Sequence, residues 1–274
     1  MTGAVHTVER NAWRGGRFAL GERAIAEETA VAFTYGGSSY AVMMATPQDL
    51  EEFAVGFTVT EGIVGSPDEI ESIETIELEA GIELRMRLAG PHANVFAARR
   101  RFLAGPTGCG LCGIESLTEA MRPLPRLADG AFVSPRDIMR ALGALDGLQV
   151  INRQTRAVHG AAFYIPADDS LIVREDVGRH NALDKLCGAL LRENVPRAAG
   201  FAVVTSRLSI EMIQKAATVG IPVLVAVSAP TALAVRAAES AGMTLVAVAR
   251  SDGFEVFTHP QRIKEERSLH VVAG

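Results

Sequence analysis

Residues 216–235 form a charge-free, mostly apolar stretch, which as one helix would be long enough to cross a bilayer. Gly220 and Pro222 interrupt it, and a valine-rich run at 223–227 follows them. The serine at position 228 comes two residues before a proline, which is typical of the start of a helix. The stretch therefore predicts the end of one helix, a buried strand and the start of another helix.

The same alternation continues through the second half of the chain. Helices are predicted at 135–145, 180–192, 210–219 and 231–241, and strands at 161–165, 171–175, 200–204, 223–227, 245–249 and 255–258. Apolar strands that alternate with helices indicate an α/β fold with a mixed, largely parallel sheet covered by helices.

The first half predicts a smaller N-terminal α+β subdomain. Its strands are expected at 31–35, 40–45, 70–78 and 82–88, around one helix at 48–60. We therefore divide the chain into an α+β subdomain at 1–103, a cysteine-containing loop and linker at 104–126, and an α/β domain at 127–274.

Composition excludes several classes of protein. With 274 residues, 48% of them hydrophobic and 22% charged, the chain can bury a sizeable core, so disordered and fibrous classes are out. A net charge of -5 gives no basic footprint for nucleic acid. Three cysteines are too few for a disulfide framework, and no apolar signal segment follows Met1. We expect a cytoplasmic protein that does not enter a membrane.

The loop GPTGCGLCG at 105–113 is the most informative segment. Its glycines add no side-chain bulk around Cys109 and Cys112, so a ligand or partner can approach the sulfur atoms closely. A Cys-x-x-Cys pair tends to lower one thiol pKa, and the thiolate is the reactive species. The segment favours sulfur or thiol chemistry.

Three other interpretations of this loop compete with sulfur or thiol chemistry. A structural zinc site needs four ligands, and no second pair lies nearby. A zinc deaminase needs His-x-Glu, and no histidine is followed two places later by glutamate. Two buried structural cysteines stay possible, although a glycine-flanked loop is a poor place to bury them. Cys187, by contrast, lies in a run of helical apolar periodicity and is predicted to pack in the core.

Several motifs in order resemble the FdhD family of formate dehydrogenase accessory proteins, over roughly residue 29 to the end. They are TGCGLCG at 107–113, EDVGRHNALDK at 175–185, VSAPT at 227–231, and Thr46-Pro47 followed by EFAVGF at 52–57 and TEGI at 60–63.

The resemblance implies a sulfur carrier. A cysteine desulfurase would supply sulfane sulfur to Cys109, the position that matches the family's persulfide, for delivery to the molybdenum cofactor of formate dehydrogenase. It also implies a cytidine-deaminase-like fold without zinc, a homodimer, and binding of bis(molybdopterin guanine dinucleotide), or bis-MGD. Cys112 either exchanges sulfur with Cys109 or only shapes the loop.

The resemblance also suggests where the cofactor binds. The family's cofactor-contacting segment matches Val248, Ala249, Arg250, Ser251, Asp252 and Gly253, with Arg250 the best phosphate candidate. Ser206 and Arg207 follow a predicted strand and rank second. This chain departs from the family at Ser206 and at Arg156-Ala157, where glycines are common. His159 and His180 are either ligand contacts or structural residues.

Two other functions stay open on the sequence. A thiol-disulfide oxidoreductase would use Cys109 and Cys112 to exchange electrons with protein substrates, and would need no cofactor pocket. A non-catalytic chaperone would only hold the cofactor for insertion.

Overall fold

The computed structural model describes residues 3–90, 123–128 and 132–265. No helix in these three ranges is long and apolar enough to span a membrane. The segment 216–235 contains the end of a helix, the strand Val223–Ala226 and the start of the next helix, so the prediction made from its punctuation is confirmed.

The chain begins with a hairpin that the sequence patterns did not predict. Strands β1 (Val5–Arg14) and β2 (Arg17–Ala26) form a separate two-stranded antiparallel sheet. Gly15 and Gly16 connect them, both with positive φ, which suits a two-residue turn between twisted strands.

A four-stranded sheet and one helix follow. The strands are β3 (Thr29–Tyr35), β4 (Ser38–Ala45), β5 (Ile70–Leu78) and β6 (Gly81–Leu88), in the order β4-β3-β6-β5. Helix α1 (Leu50–Thr60) buries nearly all of its residues. Its phenylalanines Phe53 and Phe57 pack on Phe33 of β3, with ring centroids 4.9 and 4.1 Å apart.

The second half forms a six-stranded mixed sheet in the order β12-β11-β10-β9-β7-β8. Its strands are β7 (His159–Ile165), β8 (Ser170–Asp176), β9 (Phe201–Val204), β10 (Val223–Ala226), β11 (Thr244–Arg250) and β12 (Gly253–Thr258). Strands β9, β10 and β11 pair in parallel, whereas β7 and β12 join the sheet through antiparallel pairs. The predicted mixed sheet is therefore confirmed, but its largely parallel character is wrong, because only the two central strand pairs are parallel and the other three are antiparallel.

Helices cover both faces of this sheet. They are α2 (Pro135–Leu148), α3 (Val150–Thr155), α4 (Arg179–Arg192), α5 (Ile210–Thr218) and α6 (Ala232–Ala241). Ile138, Ala141 and Leu145 of α2 pack on one face, in a cluster with Val203 and Val225. Helices α4, α5 and α6 contribute to the core on the other face.

Helices α1 and α4 join the two halves by a very close crossing. A Cβ atom added at Gly56 would lie 1.8 Å from the carbonyl oxygen of Asp184, and one at Gly188 would lie 1.8 Å from that of Glu52. Only glycine permits this approach. The hydrophobic core is consequently continuous from the four-stranded sheet to the six-stranded sheet.

Periodicity predicted every strand and helix from β3 onward except the short α3, with ends displaced by at most a few residues. The three-part division of the chain stays a prediction, because its cysteine-containing linker falls largely outside the described residues.

Candidate functional site

The candidate site lies along one edge of the six-stranded sheet, here called the carboxyl edge because β8, β9, β10 and β11 all end there. The antiparallel β7 begins at this edge, with His159 paired to Asp176 of β8. Ligands of α/β sheets bind outside the carboxyl ends of the strands. The predicted cofactor segments at 206–207 and 248–253 both lie at this edge, on either side of the loop that follows β10.

The segment 248–253 has an unusual backbone. Val248 has a φ of 52°, a left-handed conformation that is rare for a β-branched residue. The register between β11 and β12 shifts between Ala247 and Arg250, and the Val248 amide donates to the carbonyl oxygen of Ser228 at 3.2 Å. Strain of this kind occurs more often at binding and catalytic sites than elsewhere.

Arg250 lies over the neighbouring strand end. Its Nη1 donates to the carbonyl oxygen of Val227, just beyond β10, and to that of Ala249 at 3.1 Å. Arg250 itself is exposed, as are Ser251 and Asp252 in the turn that follows. Gly253 begins β12, and Ala249 is buried, so the exposed members of this segment are those available to a ligand.

The other predicted segment, at 206–207, has one exposed residue and one buried residue. Arg207 is exposed, whereas Ser206 is buried and donates from its hydroxyl to the carbonyl oxygen of Arg207 at 3.2 Å. Next to them, Thr205 connects the end of β9 to β7, because its Oγ1 accepts a hydrogen bond from the Gly160 amide at 2.9 Å. Arg207 is therefore the better of these two candidates for a ligand contact.

Asp176, Asn181 and Lys185 of the motif at 175–185 form a buried polar cluster, here called the clamp. The Asp176 carboxylate accepts the amides of Thr46 and Gly178, at 3.0 and 2.7 Å, and the Asn181 side chain at 3.0 Å. Lys185 Nζ lies 2.6 Å from the same carboxylate and donates to the Thr46 carbonyl oxygen at 2.8 Å. Asp176 and Lys185 are fully buried. Together they fix the end of β4 against the carboxyl edge.

A second buried network joins α1, α4 and α5. Lys215 Nζ lies 2.9 Å from the Asp184 carboxylate and 2.6 Å from that of Glu61, and Thr60 donates to Asp184 at 2.6 Å. Burial alone would lower the pKa of Lys215, but the carboxylates of Asp184 and Glu61 raise it, so the amine stays charged.

Glu175 binds the amino-terminal end of helix α3. Its two carboxylate oxygens accept the amides of Ile151 and Asn152, each at 2.8 Å, in the first turn of α3. Burial raises the pKa of Glu175, and these backbone hydrogen bonds oppose that rise. The carboxylate therefore has a structural partner on each oxygen.

Two further residues of the motif behave differently. Arg179 Nε and His180 Nε2 are buried atoms that have no hydrogen-bond partner among the described residues, and the same holds for Ser209 Oγ and Glu211 Oε2 at the start of α5. His180 Nε2 and Glu211 Oε2 lie 4.0 Å apart, too far for a hydrogen bond. Burial, and then the charges of Arg179 and Lys215, lower the pKa of His180 to about 4, so the ring is neutral at pH 7.

His159 is also at this edge, and so is Arg156, where the family that the sequence resembles commonly has glycine. Burial, then the charge of Arg179, lowers the pKa of His159. Arg156 has a φ of 57°, in the left-handed region that glycine adopts most readily, and its guanidinium lies 3.6 Å from the Asp146 carboxylate. Arg156 thus adopts a backbone conformation that suits glycine, although the residue itself is an arginine.

The three cysteines fall into two groups. Cys187 is fully buried in α4, which confirms its predicted place in the core, and burial raises the pKa of its thiol. Cys109 and Cys112 lie outside the described residues. Within the described ranges no three His, Cys, Asp or Glu side chains are arranged to hold a metal ion. The prediction that the Cys109 loop binds no zinc stays untested.

Sequence reasoning did not single out Glu211, Ser209 or Arg179. Glu211 and Ser209 lie just beyond the predicted binding residues 206–207, at the predicted start of a helix, and Arg179 precedes the candidate His180. That position along the chain was the only available signal, because the approach of Glu211 to His180 depends on the packing of α4 and α5.

Comparisons with known proteins agree on one family. The FdhD/NarQ family model matches residues 26–264. The sulfur carrier protein FdhD of Agrobacterium fabrum is 54% identical over 257 residues, covering 93% of this chain and 95% of its own. That of Brucella abortus is 49% identical over 259 residues, covering 94% and 96%. A crystal structure assigned to a formate dehydrogenase accessory protein from Desulfotalea psychrophila has a TM-score of 0.74 and 25% identity, covering 95% of this chain and 100% of its own.

Proposed function

The chain belongs to the FdhD/NarQ family, and from that premise we propose that it is a sulfur carrier required for formate dehydrogenase activity. In this proposal Cys109 accepts sulfane sulfur from a cysteine desulfurase as a persulfide. The sulfur then passes to bis-MGD, the molybdenum cofactor of the recipient formate dehydrogenase.

The observation that carries this proposal is the similarity, over more than nine-tenths of the chain, to relatives named sulfur carrier protein FdhD, and the burial of Cys187 narrows which cysteine takes part. A sulfur carrier needs an accessible thiol that ionises readily. Cys187 has no exposed surface, and its thiol pKa is raised by burial. Since the chain has three cysteines, the sulfur must be carried by Cys109 or Cys112.

The transfer can be written with its atoms and electrons balanced. The Cys109 thiolate attacks the terminal sulfur of the donor persulfide, a new S–S bond forms, and the donor cysteine leaves as a thiolate with no net oxidation. Release as sulfide needs two electrons. We propose that Cys112 supplies them by attacking the Cys109 sulfur, which leaves a Cys109–Cys112 disulfide for a cellular dithiol to reduce.

The carboxyl edge is where we place the cofactor. Arg207 and Arg250 are exposed cations there, and guanidinium groups suit the phosphates of a dinucleotide. The unpartnered polar atoms of Arg179, His180, Ser209 and Glu211 would be satisfied by a polar ligand. When bound, the cofactor supplies the molybdenum that receives sulfur, while the residues of this chain bind and orient it.

Three finer features belong to the same proposal. The larger sheet is taken to be a cytidine-deaminase-like framework without zinc, the protein to act as a homodimer, and the site of action to be the cytoplasm. Their support is the family to which the chain belongs.

The first experiment is mass spectrometry of the purified protein after incubation with a cysteine desulfurase and free cysteine. We expect one added sulfur atom on the peptide that contains Cys109, removable by a reductant and absent from Cys109→Ala. Cys187→Ala is the matched control and should still acquire sulfur, because Cys187 is buried.

Other outcomes would redirect the proposal. If neither the wild type nor Cys112→Ala acquires sulfur and no sulfide is released, while a Cys109–Cys112 disulfide forms readily in the wild type, the chain is a thiol-disulfide oxidoreductase. If Cys109→Ala still supports formate dehydrogenase activity in cells, sulfur transfer through Cys109 is wrong. If the double variant Cys109→Ala/Cys112→Ala supports it too, the chain acts as an insertion chaperone.

A further inference from the structure

The hairpin of β1 and β2 has an apolar surface at its tip. Directly opposite residues of an antiparallel pair share one face, and on one face the two rows nearest the turn are Trp13 with Phe18 and Asn11 with Leu20. Trp13, Phe18 and Leu20 are 61%, 70% and 83% exposed. The other face carries Arg23, which donates to α3. Among the described residues, a single copy therefore leaves the apolar face of the hairpin exposed.

The same face of the hairpin carries two carboxylates behind the tip. Glu9 and Glu22 are directly opposite each other, four residues back from Trp13 and Phe18, and both are exposed. Like charges in such a pair are unfavourable unless a cation lies close to them. The face thus has an apolar end and, about 13 Å away at the usual rise of a strand, an acidic row.

The four-stranded sheet has a complementary surface. Helix α1 packs on one side of this sheet, against Phe33 of β3, and the other side is here called the open face. Its two rows nearest the start of β3 contain mostly apolar residues. They are Met44, Ala30 and Leu78, then Val42, Ala32, Glu83 and Ile76. Met44, Val42 and Leu78 are exposed, so this end of the open face is an uncovered apolar surface among the described residues.

Two arginines follow the apolar rows along β6 on the open face. Arg85 and Arg87 continue the alternation from Glu83, and their side chains are 47% and 74% exposed. Each has a carboxylate partner on its own sheet, Glu83 at 3.0 Å and Glu71 at 3.4 Å. Glu74 on the edge strand β5 is opposite Arg85, so the cations of the open face are concentrated on the inner strand β6.

The hairpin and the open face match row by row. On the open face Arg85 comes two and four residues after the two apolar rows, and on the hairpin the row of Glu9 and Glu22 comes two and four residues behind the apolar rows of the tip. Sheets that pack face to face keep their strand directions within about 30° of each other, so such rows can lie one on another. Apolar side chains then meet apolar side chains, and the carboxylates reach the arginines.

We infer that the hairpin of one copy packs on the open face of a second copy, and that the second copy returns the same contact. Within one copy the hairpin lies against α3, and both surfaces stay exposed. Because the two complementary surfaces belong to the same chain, a second copy covers both at once. Two such contacts related by a twofold axis make one closed interface. The inference rests on the homodimer of the proposed function and gives it an interface.

The area of these contacts is sufficient for a dimer. The strands of the hairpin have ten residues each, so one face of it is about 33 Å long and about 10 Å wide, or about 330 Å². Two hairpins and the two sheet faces beneath them bury about 1,300 Å², near the lower end of the range for specific interfaces. We therefore expect a dimer that dissociates on dilution, which sedimentation velocity can follow.

The test uses paired charge reversals in the full chain. The hairpin variant carries Glu9→Arg and Glu22→Arg, and the sheet variant carries Arg85→Glu and Arg87→Glu. In either variant alone like charges meet at both contacts, so we expect the dissociation constant of the dimer to rise at least tenfold. In an equal mixture opposite charges meet at both contacts, so a heterodimer of wild-type affinity should form.

The matched control reverses two charges on the other face of the same hairpin. Arg14 and Arg17 are directly opposite each other there and are exposed. The variant with Arg14→Glu and Arg17→Glu should dimerise like the wild type, because neither side chain faces the partner.

Outcomes of this test separate the interface from the rest of the proposed function. If the hairpin variant dimerises as tightly as the wild type, or the mixture forms no heterodimer, the inference is wrong while the homodimer stands. A wild type that sediments only as a monomer contradicts both, whereas sulfur acquisition by Cys109 is decided separately by mass spectrometry. Should a charge-reversed variant unfold in a thermal melt, Leu20→Ser and Leu78→Ser replace it, and unchanged dissociation constants in both would refute the inference.

Discussion

His180 links the candidate site to the pH dependence of stability. In the unfolded chain a histidine has a pKa near 6.5, whereas burial, Arg179 and Lys215 lower the pKa of folded His180 to about 4. Between those pH values the unfolded state binds a proton that the folded state does not. Stability contributed by neutral His180 is therefore present at pH 7 and falls as the pH drops towards 4.

Replacing His180 should remove this part of the pH dependence. For the wild type we expect His180 to account for a loss of about 2 kcal/mol in the free energy of unfolding between pH 7 and pH 5. His180→Gln, which has no titrating ring, should show a correspondingly smaller loss. The measurement is urea unfolding at the two pH values.

His6→Gln is the control for that measurement. His6 is on the hairpin with a side chain 45% exposed, beside Glu27, so this variant should keep the wild-type loss. An equal pH dependence for His180→Gln and the wild type would show that His180 does not titrate as described.

Single residues also show how far sequence reasoning reaches. The sequence, or its resemblance to a family, predicted a core position for Cys187 and cofactor contacts for Arg207 and Arg250. The structure places the two arginines at one exposed edge. The pairing of Lys185 with Asp176, or of Lys215 with Asp184, could not be predicted. Charged residues in an apolar helix give no indication of which partner the fold brings to them.

Among the secondary-structure elements, the crossing of α1 and α4 is the tightest contact described between the two halves. At Gly188 the added Cβ would meet the backbone of Glu52, which cannot move independently of α1. A methyl group here must push the helices apart, and that shift would disturb the clamp of Lys185 and the network of Asp184 on the same helix.

Gly188→Ala is accordingly expected to destabilise the protein by about 1–3 kcal/mol, the range for inserting a methyl group into a well-packed core. Gly143→Ala is the matched control, because Gly143 is in helix α2 with nothing within 4 Å of the added Cβ. There alanine should stabilise by about 0.5–1 kcal/mol through its helix propensity. Thermal melting of both variants gives the comparison, and a loss no greater in Gly188→Ala than in Gly143→Ala would contradict the close crossing.

Elements with a clear apolar pattern were predictable and elements without one were not. Helix α4 and strands β9 and β10 have strong apolar patterns and lie where periodicity put them. Strand β1 has polar residues on both faces, so it carries no period-two signal. The Gly15-Gly16 pair was the one available indication of the hairpin.

Within the described residues, the molecule has a large core that spans both sheets, a second cluster on the other face of the six-stranded sheet, and a hairpin outside both. The core runs from the four-stranded sheet through α1 and α4 to the six-stranded sheet. The hairpin shares none of the residues that make up this core; it contacts α3, where Arg23 donates to the carbonyl oxygen of Thr155 at 3.1 Å. An isolated two-stranded hairpin is marginally stable in water, so we expect it to unfold separately.

The single tryptophan of the chain gives a direct test of this separation. Trp13 is in the hairpin, 61% exposed and 4.9 Å from the Phe18 ring, so its fluorescence reports the hairpin, whereas far-ultraviolet circular dichroism is dominated by the helices and sheets of the core. In guanidinium chloride we expect the Trp13 signal to change at a lower concentration than the dichroism, because no hairpin residue belongs to the core cluster of the described residues. Arg23→Ala, which removes the bond to Thr155, should lower the fluorescence midpoint and leave the dichroism midpoint unchanged. Coincident transitions in both proteins would show instead that the hairpin unfolds with the core as one cooperative unit.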